Sequence, residues 1–131
     1  MKKVILGIIV IVVAVLAISC GSNSSPKSIV KKYVTAIQKG DAESAADCFY
    51  YEGTDDEIAE QRETMVSLIE KSIKSLNKDG GIKSYQIKDV EQNGDKAIVY
   101  GKAVYGNGKV GEDEEIATVK VNGKWYIDLD K

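Results

Sequence analysis

Three Asn-Gly pairs, Asn93-Gly94, Asn107-Gly108 and Asn122-Gly123, recur at near-regular spacing through the last third of this chain. Both residue types tolerate the left-handed backbone that a tight hairpin needs, so Asn-Gly between alternating apolar runs is a strong hairpin signal. The runs so divided, about 82–92, 95–105, 110–121 and 124–130, alternate apolar and polar side chains as half-buried strands do. A four-stranded antiparallel meander is predicted, and one of its faces must be covered by something else.

The last hairpin allows a finer expectation. A strict two-residue loop would place Lys120 on the same face as Trp125. A three-residue loop with Gly123 in a left-handed bulge would instead set Ala117, Val119 and Val121 beside Trp125, Ile127 and Leu129, leaving Thr118, Lys120, Tyr126, Asp128 and Asp130 outward. The bulged register is therefore predicted.

Helical periodicity precedes the strands. Ser25 followed by Pro26 reads as a helix start, and Ile29, Val30, Tyr33, Val34 and Ile37 recur on one face until Gly40. Asp41 caps a short second helix with Ala42, Ala45, Ala46 and Phe49 on its apolar side. Thr54 and Glu57 form a capping-box pattern ahead of a long third helix striped by Ile58, Met65, Val66, Ile69, Ile73 and Leu76. Helices first and then a meander is an α+β order, in which the helices cover one face of the sheet.

The opening of the chain fixes an address. Lys2 and Lys3 precede an apolar segment, 4–18, that is shorter than the roughly 20 residues of a spanning helix. Leu16-Ala17-Ile18-Ser19-Cys20 resembles the bacterial lipobox, with Ala17 where the family most often has leucine. The resemblance implies a signal peptide over 1–19, a diacylglyceryl group and palmitate-type acylation at Cys20, and a short polar tether over 20–25 with nothing to pack against. It implies a bacterial envelope location: the outer membrane where there are two membranes, otherwise the outer face of the plasma membrane. The alternative is an uncleaved signal anchor.

The rest, 26–131, is enough chain for one core. Loss of Lys2 and Lys3 with the signal lowers the basic count from 18 to 16 against 20 acidic residues. That balance argues against nucleic acid, which selects basic surfaces. Histidine is absent, which removes the commonest acid–base group and zinc ligand. With Cys20 consumed by lipid, Cys48 is left without a disulfide partner and reads as a small buried helix residue. The acidic runs 55–57 and 112–115 lack the glycine-spaced loop of a calcium site, and no metal or cofactor is expected.

Lys39-Gly40-Asp41 followed by alanines, together with Val121-Asn122-Gly123-Lys124-Trp125-Tyr126-Ile127, resembles the nuclear transport factor 2-like, or cystatin-like, superfamily, and within it small bacterial lipoproteins of uncharacterised function. The resemblance implies a cone of helices on a curved sheet. Some relatives are isomerases or dehydratases that work inside the cone, others are non-catalytic, and many dimerise through the sheet. No catalytic residue carries over. Asp47 and Asp128 are the carboxylates to consider, and both read as solvated; Tyr33, Tyr50, Tyr85, Tyr100 and Trp125 are the candidate pocket lining. The expected function is a lipid-anchored, extracytoplasmic domain that binds an unknown protein or small molecule. The alternatives are an acid–base enzyme using a carboxylate in the cone and a self-associating homodimeric spacer.

Overall fold

The computed structural model describes residues 23–129 of the 131. The expected signal peptide over 1–19, Cys20, Gly21 and Ser22 lie outside the described residues, as do Asp130 and Lys131. The chain runs α1 (Pro26–Lys39), α2 (Ala42–Ala46), α3 (Asp55–Asn77), β1 (Ile82–Asn93), β2 (Lys96–Tyr105), β3 (Glu114–Val121) and β4 (Lys124–Ile127). The sheet is a meander in the order β1-β2-β3-β4, antiparallel throughout, so the predicted α+β architecture is the observed one.

Each helix begins where its capping chemistry puts it. Ser25 accepts from the Ser28 N–H while the Ser28 hydroxyl accepts from the Ser25 N–H, satisfying two amides that the first turn leaves without partners. Gly40 closes α1 in the left-handed region at φ 74°. Asp41 caps α2 through the Ser44 N–H, and Thr54 with Glu57 forms the expected reciprocal pair at the head of α3.

α1 does most of the covering. Its Ile29, Val30 and Val34 pack with Val90, Ala97, Val99, Trp125 and Ile127 from the sheet, with Cys48 beside them. A second cluster joins Ala36 and Ile37 of α1 to Ala42, Ala45 and Ala46 of α2 and Ile69 of α3. The long helix thus lies over the other helices, and its alanine-rich neighbour α2 permits that close approach. Tyr33, Phe49 and Ile82 touch both clusters and join them.

β1 meets the core by way of two register shifts, between Ile82 and Ser84 and between Ile87 and Asp89. Each adds one residue opposite the partner strand and flips the alternation that follows. Ile82, Tyr85, Ile87 and Val90, spaced too irregularly for one strand face, all turn toward the helices as a result.

The last hairpin departs from the predicted bulge. Val121 pairs with Lys124 and Lys120 with Trp125, leaving a two-residue loop in which Asn122 and Gly123 both have positive φ, 51° and 82°. That is the backbone of a type I′ turn, whose twist suits the flanking strands. Thr118 therefore points into the core, 1% exposed, and its hydroxyl donates to the Ala97 carbonyl at 3.0 Å. Lys120 stands at the hairpin end with its side chain exposed, so its place on the inner face carries no burial cost. Ala117, Val119 and Val121 fall on the outer face with Tyr126.

β3 is also shorter than predicted. A tight turn over 105–109, closed by Gly108 N–H to the Tyr105 carbonyl and Tyr105 N–H to the Lys109 carbonyl, both at 2.9 Å, brings Val110 back to an isolated bridge with Val104, and 112–113 then lie outside the ladder before pairing resumes at Glu114. β4 ends at Ile127, short of the predicted 130.

Candidate functional site

The edge of β4 is closed from three places in the chain. The Trp125 N–H donates to the Asn23 carbonyl and the Asn23 side-chain amide returns a bond to the Trp125 carbonyl, both at 2.8 Å. Ile127 donates to the Cys48 carbonyl at 2.8 Å and accepts from the Tyr50 N–H at 2.9 Å. An edge that would otherwise offer unpaired groups to another strand is occupied. Asn23, Ser24 and Ser25, expected in a tether with nothing to pack against, are part of the folded domain.

The opposite end of the inner face holds a tyrosine–carboxylate pair. Tyr85 on β1 donates to Glu114 Oε1 on β3 at 3.1 Å, reaching across β2. It can do so because β2 carries glycine at the crossing: a Cβ on Gly101 would lie 2.6 Å from the Tyr85 ring and 2.7 Å from the Gln86 carbonyl. Gly101 is the residue paired with Glu114, and the Tyr85 ring, coming from the neighbouring row opposite Ala103, passes over it diagonally to the carboxylate. Burial first, and then the negative charge and hydrogen bond of Glu114, push the Tyr85 phenol up.

Tyr33 enters the same region from α1. Its ring packs edge-on to Phe49 with centroids 5.4 Å apart, and its phenol is pushed up by burial, with smaller contributions from Cys48 and Glu114. Two protonated phenols thus stand near one exposed carboxylate, and Phe49, Ile87 and Ile116 are, like them, partly buried at the margin of the same core cluster. Such a rim can donate and accept hydrogen bonds around an apolar contact.

The five predicted lining residues separate. Tyr33 and Tyr85 share this rim. Trp125, 3% exposed, is core. Tyr100 lies on the outer face of the sheet and donates to Glu91 at 2.7 Å; that bond, then burial, raises its pKa to about 12. Tyr50 packs against Tyr126 with centroids 5.7 Å apart, on the outer side of β4.

Glu114 and Gly101 were not singled out from the sequence. The signal available was the glycine: an isolated glycine inside a strand marks a close approach by another group.

The remaining candidates are accounted for by local structure. Asp47 is paired with Arg62 at 2.6 Å on the surface, and Arg62 also donates to the Glu43 carbonyl. Cys48 is buried, its thiol directed at the Ser44 carbonyl at 3.5 Å, and burial raises its pKa to about 11. Among the described residues no three acidic or cysteine side chains gather as a metal would need, and no helix is long and apolar enough to cross a membrane.

The fold recurs in solved structures of low sequence identity. A Campylobacter jejuni protein assigned as a nuclear transport factor 2-like transpeptidase is 19% identical over 81% of this chain and 99% of its own, with a TM-score of 0.70. A SEC-C motif containing protein of Rhodopseudomonas palustris is 15% identical over 86% of this chain and 81% of its own, at 0.61. A DUF4783 family protein of Bacteroides ovatus is 11% identical over 81% and 91%, at 0.51. The first of these is described as nuclear transport factor 2-like, and the likeness is one of fold. No curated protein matches the sequence. A family model described as a domain of unknown function (DUF4878) matches residues 18–128.

Proposed function

The chain belongs to that DUF4878 family, and from this membership and the geometry of the rim we propose that it is a lipid-anchored binding domain of the bacterial cell envelope. Its ligand is a small molecule or a protein segment that sets an apolar group against Phe49 and Ile116 and polar groups against Tyr33, Tyr85 and Glu114. The observation that carries the reading is the Tyr85–Glu114 pair. It sits at the rim of an interior already filled by Trp125, Val99, Val30 and Ile29, so recognition takes place at the surface.

A general base in this fold gains strength from burial, whereas Glu114 is exposed and already accepts from Tyr85. Nor does the chemistry named for the Campylobacter protein transfer readily. A transpeptidase nucleophile must be reachable and activated, and Cys48 is buried with its thiol held protonated.

Two measurements test the proposal. Cys20→Ala should abolish partition of the full chain into detergent and acylation at that position, and unchanged partition would overturn the lipid anchor. Native mass spectrometry of the chain isolated from its host should detect a bound species that is lost in Tyr85→Phe and Glu114→Gln. Retention of the species by both variants would remove the rim from the binding role.

A further inference from the structure

No acidic residue precedes Asp41 in the whole chain, and the exposed side of α1 carries Lys27, Lys31 and Lys39 at successive intervals of four and eight. At 1.5 Å per residue these span about 18 Å along one stripe. Lys32 flanks them, its ammonium 3.5 Å from the Asn23 side-chain oxygen. Lys31, Lys32 and Lys39 line one shallow groove together with Ser28, Thr35 and Asp41. Asp41 is the carboxylate of that lining and is already engaged, accepting from the Ser44 N–H and hydroxyl at 3.1 and 2.7 Å. Among the described residues the ion pairs are Arg62–Asp47 and Lys88–Asp113, so no lysine of α1 makes a contact ion pair there, although Lys39 is near enough to Asp41 to help hold its carboxyl below the usual range.

This arrangement is not what the helix itself favours. The positive end of a helix disfavours cations, yet the first turn of α1 has no acidic residue and includes Lys27. α3 shows the opposite, self-stabilising order, with Asp55, Asp56 and Glu57 at its head and Lys74 in its last turn. Lys39, in the last turn, is the one cation of the stripe that the helix favours, and the rest are left to solvent or to an anionic surface outside the domain.

The chain length supplies the neighbour. Three residue steps separate Cys20 from Asn23, a reach of about 10 Å when fully extended. Asn23 is itself fastened to Trp125, so the domain has no slack with which to move away. A surface at Cys20 is then within about 10 Å of Asn23, the residue that the Lys32 ammonium reaches, a distance on the scale of the screening length of physiological salt, about 8 Å.

We propose that the exposed lysine stripe of α1 is a membrane-contact surface that lies on the anionic phospholipid headgroups of the bilayer holding the N-terminal anchor. This rests on the lipid-anchor reading for its tether. It makes the domain an oriented body on the bilayer: α1 lies along the surface, and the groove of lysines and hydroxyls accepts headgroup phosphates. Each lysine at an anionic surface contributes about fivefold to the partition.

The test uses the full chain reconstituted in vesicles of phosphatidylcholine alone or of equal parts phosphatidylcholine and phosphatidylglycerol, with lysine acetylation rates read by mass spectrometry. The expected result is that Lys27, Lys31, Lys32 and Lys39 label at least about fivefold more slowly on anionic vesicles. Lys71, Lys74 and Lys78 should be unchanged, and the protection should vanish at about 1 M salt. In the Lys27→Gln, Lys31→Gln, Lys39→Gln variant, Lys32 should lose its protection.

Equal labelling on both vesicle types overturns the proposal, including when the N-terminal peptide shows Cys20 acylated. Protection by free polyglutamate but not by anionic vesicles would assign the stripe to an acidic protein and also overturn it. Protection with Cys20 unmodified would support the surface and refute the lipid attachment, the 4–18 segment then being the tether.

Discussion

Thr118 shows how little a residue's type says about its place. Read as outward, it is buried at the centre of β3, and it is tolerated there because its hydroxyl has the Ala97 carbonyl to donate to. Thr118→Val keeps the shape and removes the donor. We expect a loss of about 1 kcal/mol in urea unfolding with little change in the slope. A neutral or stabilising result would mean that packing alone holds the site. The rim has the same character. Tyr85 and Tyr33 were legible as aromatic candidates, but Glu114 gained its role only from Gly101, whose missing side chain lets the Tyr85 ring cross β2. Nothing in the residues near Glu114 marks it out from its acidic neighbours.

At the scale of elements, local chemistry was readable wherever it acts locally. Caps at Ser25, Asp41 and Thr54 and the stop at Gly40 all bond within a few residues, and the helices begin and end on them. The three Asn-Gly pairs act in three ways. Asn93 is still paired, with Lys96, so that Gly94 and Asp95 make the turn; Asn107 and Gly108 lie in a three-residue turn with Gly108 left-handed, closed by bonds between Tyr105 and both Gly108 and Lys109; Asn122 and Gly123 alone form the two-residue turn with both residues left-handed. Asn122→Gly should therefore fold with nearly unchanged stability, whereas Asn122→Val should cost about 1–2 kcal/mol, the left-handed penalty of a side chain that cannot bond locally. Comparable thermal stability of the two would indicate a loop that had slipped to another register. The bulges of β1 were not readable at this scale, since Ile82, Tyr85, Ile87 and Val90 obey neither a period of two nor one of 3.6 until Lys83 and Lys88 are set aside.

Across the whole molecule, four phenols respond to pH in one direction. Tyr33, Tyr51 and Tyr85 are raised chiefly by burial and Tyr100 chiefly by its bond to Glu91, with Tyr51 and Tyr100 brought to about 12. A phenol whose folded pKa exceeds its ordinary value of 10 holds its proton more tightly in the native state. Its contribution is complete below pH 10 and is lost as the pH rises through the folded value, because above that point the unfolded chain has already released the proton. We expect stability to fall steeply between about pH 10 and 12, with tyrosinate absorbance appearing together with unfolding. Titration of all tyrosines near pH 10 in a still-folded chain would contradict it. The acid side should be flatter, since the described ion pairs are exposed.

The elements, their order and therefore the α+β class follow from the residues alone, because caps, periodicity and turn residues act over a few positions of chain. Which faces meet is fixed by packing between distant segments. The inward turn of Thr118, the fastening of Asn23 to Trp125, and the separation of the five aromatic candidates into rim, core and outer face all depend on strand register. Register is set jointly by contacts distant along the chain. A one-residue difference in the loop at Asn122 reverses every side chain of β3 relative to β4, and no local preference carries enough energy to choose between the two against the packing of α1 on the sheet.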